Sequence, residues 1–250
     1  MNRLVRAELL KVRTTRLWLG LLIGGVALDA VSVIATLALA GTQEGNRANI
    51  PEIRTVADVQ NLVWGGMALW LFAAVLTATM STGEYRYGTA AGTYLATPSR
   101  GRVLTSKVAA AVPVGVVAGL IGGGLTVVIA AVWFAVKGDT LPFGTPVLIA
   151  VLEVTLQCTY AAILAVCVGA AIRSQVVAIL SVLGFGLVVE PLATALLPSL
   201  QRWSPIRGAM GAFGPPDPLL FGPLAGFGLM LSYVATVWYA AYWIERRRDV

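Results

Sequence analysis

The sequence predicts an all-α, polytopic integral membrane protein with six transmembrane helices, and three observations carry that prediction. Of 250 residues, 58% are hydrophobic and 12% charged, where soluble globular domains carry about 25% charged residues. Apolar stretches long enough to cross a hydrocarbon core, which takes about 20 residues of helix, recur along the whole length. The cations cluster in the segments that flank these stretches and fall on alternate sides. Residues 1–250 therefore read as a single transmembrane domain, with nothing left over for a soluble domain of ordinary size.

The first element is a basic opening segment, residues 1–16. A helix over 3–13 brings Val5, Leu9 and Val12 onto one side and spreads Arg3, Arg6, Lys11 and Arg13 over the remainder. That suits a helix on the inner membrane surface or a basic flank that fixes orientation, and the two readings are compatible. The first pass, 17–40, is longer than a signal-peptide core of about 7 to 15 residues, so it reads as a retained helix. The second, third and fourth passes are 62–80, 108–136 and 145–172. The fifth runs from 174 to about 189, where Glu190-Pro191 should end it, because proline lacks a backbone donor and disfavours helix in the residue before it. Residues 190–221 are apolar but punctuated by Pro and Gly, which predicts an outer re-entrant segment. The sixth pass is 222–244. Gly20-xxx-Gly24, Gly115-xxx-Gly119, Gly119-xxx-Gly123 and Gly222-xxx-Gly226 are spaced for close helix packing.

Orientation follows from Lys and Arg, which resist translocation. Thirteen lie on the side that holds both termini and residues 81–107, against Arg47, Arg54, Lys137, Arg202 and Arg207 on the other. Both termini and the loop 83–107 are expected in the cytoplasm of a multi-pass protein of the cell membrane. The net charge of +6 belongs to these flanks and not to a nucleic-acid surface. There is no His, and Cys158 and Cys167 stand nine residues apart on one helix, about 13 Å, too far to bridge. No metal set, nucleophile with its base, or dinucleotide fingerprint is present. Gly83 to Thr89 echoes a phosphate loop but has no Lys between Gly88 and Thr89.

Asp29, Glu153, Gln157 and Tyr160 stand out among the polar residues inside the passes. Asp29 is near the centre of the first, where an acid costs about 2.5–3.5 kcal/mol. Glu153, Gln157 and Tyr160 form a polar stripe at i, i+4 and i+7 on the fourth. They read either as part of a translocation path or as hydrogen-bond partners between helices. Glu190 reads as an interfacial residue.

In the loop 83–107, Glu84, Arg86, Gly88-Thr89, Leu95, Pro98-Ser99-Arg100 and Lys107 follow the pattern E-x-R-x-G-T…L…P-S-R…K. Together with the opening RAELLKVRTTRLWLG and the six passes, this resembles the permease subunit of ABC-2 type ATP-binding cassette transporters over essentially the whole chain. The resemblance implies an interfacial helix in 1–16, a cytoplasmic coupling helix between passes two and three with 85–96 as the coupling region, and outer re-entrant helices before the last pass. Glu84, Tyr85, Arg86, Gly88, Thr89, Gly92, Tyr94, Leu95 and Pro98 would then couple to the ATPase, Ser99 would cap the next helix, and Arg100 and Lys107 would fix the third pass at the inner headgroups. It also implies that ATP and Mg bind a partner ATPase subunit, that this chain is no enzyme, and that a homo- or heterodimer of permeases exports a drug, antibiotic, lipid or ion by alternating access. Two other classes stay open: a self-contained secondary transporter or channel using Asp29 and Glu153, and a non-transporting membrane scaffold.

Overall fold

A computed structural model of the chain describes residues 2–47, 50, 52–65, 69–214 and 217–247. Among these the regular structure is helical: α1 (Asn2–Thr14), α2 (Leu17–Leu39), α3 (Gln43–Arg47), α4 (Val56–Gly65), α5 (Leu69–Arg86), α6 (Ala90–Ala96), α7 (Arg100–Val136), α8 (Thr145–Ile172), α9 (Gln175–Gly184), α10 (Glu190–Leu196) and α11 (Pro223–Arg247). Among the described residues six stretches are long and apolar enough to cross a membrane: α2, Val56–Arg86, α7, α8, Gln175–Leu196 and α11. Residues 66–68 of the second pass, 215–216 of the outer segment and Arg248 of the basic tail lie outside the described residues.

The helix α8 is the hub, packed against α4, α5, α7, α9 and α11. Its contact with α7 is a ladder of small residues. A Cβ at Gly115 would meet the backbone of Thr159, one at Gly119 the backbone of Thr155, and one at Gly123 the side chain and Cα of Val151. Each step of four residues down α7 is a step of four up the antiparallel α8. In lipid, helices gain little from burying apolar surface against each other, so backbone approach through small residues supplies much of the packing. The spacing at Gly20 does not work this way, since a Cβ there would meet nothing within 4 Å.

Several boundaries differ from those the sequence predicts. The second span extends to Arg86 and the third begins at Arg100. At 37 residues, α7 is about 55 Å long and projects well beyond a hydrocarbon core of about 30 Å. The expected break at Glu190-Pro191 is absent. A π-helical stretch over Phe185–Val189 precedes Pro191, and the wider turn makes room for a ring that would clash with an ordinary α-helical ladder. The helix therefore continues to Leu196. Beyond it, in the segment expected to be re-entrant, the described residues form two short 3-10 turns, Pro198–Trp203 and Gly211–Phe213. Ala209 and Met210 of this segment are buried against Tyr160 of α8 and Met230 of α11.

The buried Glu190 explains that fold-back. Its carboxylate accepts the backbone N–H of Ile206 at 3.0 Å and that of Arg207. It is a buried acceptor holding the outer segment and not an interfacial residue.

Candidate functional site

Four charges and one hydroxyl from four helices meet at the end of the bundle that carries both termini. The last turns of α5 deliver Glu84, which is 4% exposed. Its Oε2 accepts Lys107 Nζ of α7 at 2.7 Å, and its Oε1 accepts Thr93 Oγ1 of α6 at 3.0 Å and the ammonium of Lys11 from α1. Glu8 of α1 adds a second carboxylate, at 2.9 Å from Lys11 and 3.4 Å from Lys107. Two carboxylates thus balance two ammoniums, and all of them but Lys11 are buried. Lys107 is 1% exposed, so it does not reach the headgroups as the sequence suggests. Removing one member of such a cluster strands a buried charge, whereas the intact set fixes how its helices sit together.

Lys11 is the half-exposed member. Burial works against its charge, but the hydrogen bond it donates to Glu84 and the field and hydrogen bond of Glu8 outweigh it and hold its pKa above the ordinary lysine value. The apolar side chains that share its helix, Val5, Leu9 and Val12, pack on the bundle core. The opening helix is docked on protein as well as basic.

The turn from α5 into α6 is a Schellman motif. Gly88 takes φ +69, its N–H bonds to Tyr85 O at 3.4 Å, and the Thr89 N–H bonds to Glu84 O at 2.9 Å. Only glycine adopts that left-handed position without steric cost. The chain then reverses directly into α6. Helix α5 still contains Tyr85 and Arg86, so within the region 85–96 the short helix begins at Ala90.

A second polar knot backs α6 from the other side. Tyr94 and Tyr85 each donate a hydroxyl to Glu245 Oε1 of α11, at 3.2 and 3.3 Å. Burial, then the hydrogen bond with Tyr85 and the charge of Glu245, push the Tyr94 phenol far up, so it stays a donor. Arg100 donates to the backbone carbonyl of Glu245 and lies over the Tyr94 ring at 5.5 Å. Arg173 lies over the Tyr85 ring at 4.8 Å, and Arg86 donates to Gln175 of α9 at 2.7 Å. Ser99 occupies the N-cap position of α7 but makes no side-chain cap bond, contrary to expectation.

The result is a seven-residue helix with two unlike faces. Ala90, Thr93 and Tyr94 turn toward the bundle, while Ala91, Gly92, Leu95 and Ala96 are exposed. Leu95 is 85% exposed and Tyr87, on the preceding turn, 72%. A Cβ at Gly88 or Gly92 would meet nothing within 4 Å. Among the nine residues expected to couple, Glu84, Tyr85 and Tyr94 face inward as anchors and Arg86 ties α5 to α9. Gly88 and Thr89 build the turn, and Gly92, Leu95 and Pro98 lie on the outer side.

The four intramembrane residues are placed on different interfaces. Asp29 is fully buried in α2, close to Gly122 of α7. Glu153 accepts Trp64 Nε1 of α4 at 3.1 Å. Gln157 is fully buried, and neither atom of its amide has a hydrogen-bond partner. The buried hydroxyl of Tyr160 also has none, and its ring packs on the outer segment. No group of three metal-ligating side chains occurs among the described residues.

Sequence reasoning missed Glu8, Glu245 and the burial of Lys107. Glu8 carried a signal: it lies within the Val5, Leu9, Val12 stripe, at the spacing of an apolar contact. Glu245 carried little, since it opens the basic Glu-Arg-Arg-Arg tail and looks solvated.

A family model described as ABC-2 family transporter protein matches residues 4–189, well over half of the chain. No curated protein matches it. The matched span runs from within α1 through α9 and contains Glu8, Lys11, Glu84, Lys107 and all of α6. It stops before the outer segment and α11.

Proposed function

The chain belongs to the ABC-2 transporter family, and from that premise we propose that it is the export permease of an ATP-driven transporter, with α6 as the lever on which the ATPase acts. The observation that supports this reading is the asymmetry of α6. One face is tied by Thr93 and Tyr94 to carboxylates on α5 and α11, and the other exposes Leu95 and an open Gly92, beside Tyr87 and Gly88 exposed on the turn before it. A bare apolar knob beside accessible backbone suits a cleft on a soluble partner. The bound face suits transmission, because a push on α6 reaches Glu84 and through it α1, α5 and α7.

In this reading two permease copies, identical or paralogous, flank a path between them. ATP binding with Mg draws the two ATPase subunits together, the α6 helices move with them, and the bundles change which side is open. The permease supplies no bond-making chemistry. It makes nucleotide state bias a conformational equilibrium, which requires that the contact at α6 differ in energy between the two states. Asp29, Glu153, Gln157 and Tyr160 are the polar groups available to the path, and Gln157, with an unpartnered amide in the middle of α8, is the first to test within it.

The experiment is co-purification with a short Walker A ATPase encoded by a neighbouring reading frame. Burying one leucine contributes about 1.5–3 kcal/mol, so Leu95→Asp should lower ATPase recovery by at least about tenfold. The permease's own melting temperature should not change, because Leu95 is 85% exposed. Undiminished recovery with coupled hydrolysis would exclude α6 as the lever. A self-contained proton-driven carrier predicts instead transport in vesicles that hold no ATPase, lost in Asp29→Asn and Glu153→Gln.

A further inference from the structure

A cavity of about 420 Å³ is bounded by α5, α8, α9 and α11 and, from the outer segment, by Ile206 and Met210. Tyr160 and Tyr233, near the middles of α8 and α11, both line it, so it sits at the depth of the hydrocarbon core. Ser181 and Phe185 on its α9 wall are exposed, and the cavity is reached from that flank of the bundle. Its walls are shaped around the space. A Cβ at Gly186 would meet Trp70 Cη2 at 2.8 Å and Ile206 Cδ1 at 3.1 Å, so a larger residue there would drive these two lining side chains from their places. Phe185 begins the π-helical stretch, a distortion that recurs at functional sites.

The chemistry of the lining is narrow. No charged side chain contributes to it among the described residues. Glu190, the acid bonded to the Ile206 backbone, has both oxygens engaged by the N–H groups of Ile206 and Arg207. The Tyr233 hydroxyl is likewise engaged, donating to the carbonyl of Trp203. Tyr160 differs from both: it is 4% exposed and its hydroxyl has no hydrogen-bond partner. A buried hydroxyl without a partner is destabilising, yet tyrosine stands where phenylalanine would pack as well. An occupant that brings an oxygen acceptor relieves that cost, whereas one that brings a charge finds no counter-charge in the walls.

We propose that this cavity binds an uncharged lipophilic molecule carrying a hydrogen-bond acceptor, a ketone or ester oxygen, that takes the Tyr160 hydroxyl. The volume falls within the range of about 300–1,000 Å³ usual for small-molecule pockets, whose walls are mostly apolar with few placed polar groups. The cavity lies within one copy of the chain and so is distinct from a path between two copies. As the class of cargo, its occupant rests on the export reading; the binding itself needs no ATPase. Loss of binding therefore leaves the role of α6 standing, and failure of α6 as the lever leaves the cavity standing.

The full-length chain in phosphatidylcholine nanodiscs is titrated with tritiated progesterone, an uncharged steroid diketone, by scintillation proximity against empty nanodiscs. Wild type should bind it saturably. Tyr160→Phe should weaken binding about tenfold with no fall in melting temperature, because the hydroxyl it removes is bonded to nothing. Ser181→Trp, which fills the cavity from its exposed rim, should abolish saturable binding. Pregnane, the same skeleton without oxygen, should compete about tenfold more weakly than unlabelled progesterone. Absence of saturable binding overturns the proposal, as does unchanged affinity in Tyr160→Phe or equal competition by pregnane, either of which reduces the cavity to an apolar slot. Equal competition by the tetraphenylphosphonium cation also overturns it, since such a site does not select against charge. Should Ser181→Trp not fold, Tyr160→Phe decides, because it keeps the ring and its packing.

Discussion

Lys107 carries the sharpest residue-scale consequence. Its ammonium is enclosed by Glu84 and Glu8, so Lys107→Met should destabilise the bundle by about 3–5 kcal/mol by stranding a carboxylate. Adding Glu84→Gln should recover part of that loss, and thermal unfolding of the two single variants and the double variant measures the coupling directly. Lys11 gives a pH prediction whose sign is set by its raised pKa. Its contribution is complete below the unfolded value of about 10.4 and is lost as pH rises through the higher folded value. Lys11→Arg, which keeps its charge, should flatten the alkaline fall in melting temperature and change nothing near neutrality. The sequence could mark Glu84 because it opens a patterned loop. It could not pair Lys107 with Glu8, 99 positions away, because a cation near a span's end looks the same whether it meets headgroups or a carboxylate.

Among the elements, the α7–α8 ladder was legible and the fifth span was not. Glycines four apart on an apolar run foretell a backbone approach, and Gly115, Gly119 and Gly123 make one. Gly119→Ala should force the helices apart at Thr155 and cost about 1–3 kcal/mol, while Gly20→Ala should stay within about 0.5 kcal/mol. Thermal unfolding distinguishes them. The fifth span defeated the reading because proline normally stops a helix, and nothing in local sequence announces a π turn that absorbs it. Helix α6 was legible as a polar loop between spans, but its bounds were not, because the Schellman turn at Gly88 lets α5 run on to Arg86. Leu95 remained the informative residue, an apolar side chain in a polar loop.

At the scale of the whole molecule, length and apolar content made six spans legible, and the alternation of cations gave an arrangement with both termini on one side. The side itself is open to test. Tyr87→Cys places a thiol on the exposed turn, and the two native cysteines are buried, so background labelling should be low. An impermeant maleimide should label Tyr87→Cys in inverted vesicles and not in intact cells; the reverse pattern would place α6 opposite to the proposed ATPase. What the sequence could not convey is that α1, α5, α6 and α7 share one electrostatic knot, since its members come from residues 8, 11, 84, 93 and 107. That knot also sets an order for biogenesis. A nascent chain that has delivered Glu8, Lys11 and Glu84 holds two carboxylates for a single ammonium, and the amino-terminal helix cannot settle into its final seat until residue 107 leaves the ribosome and enters the bilayer.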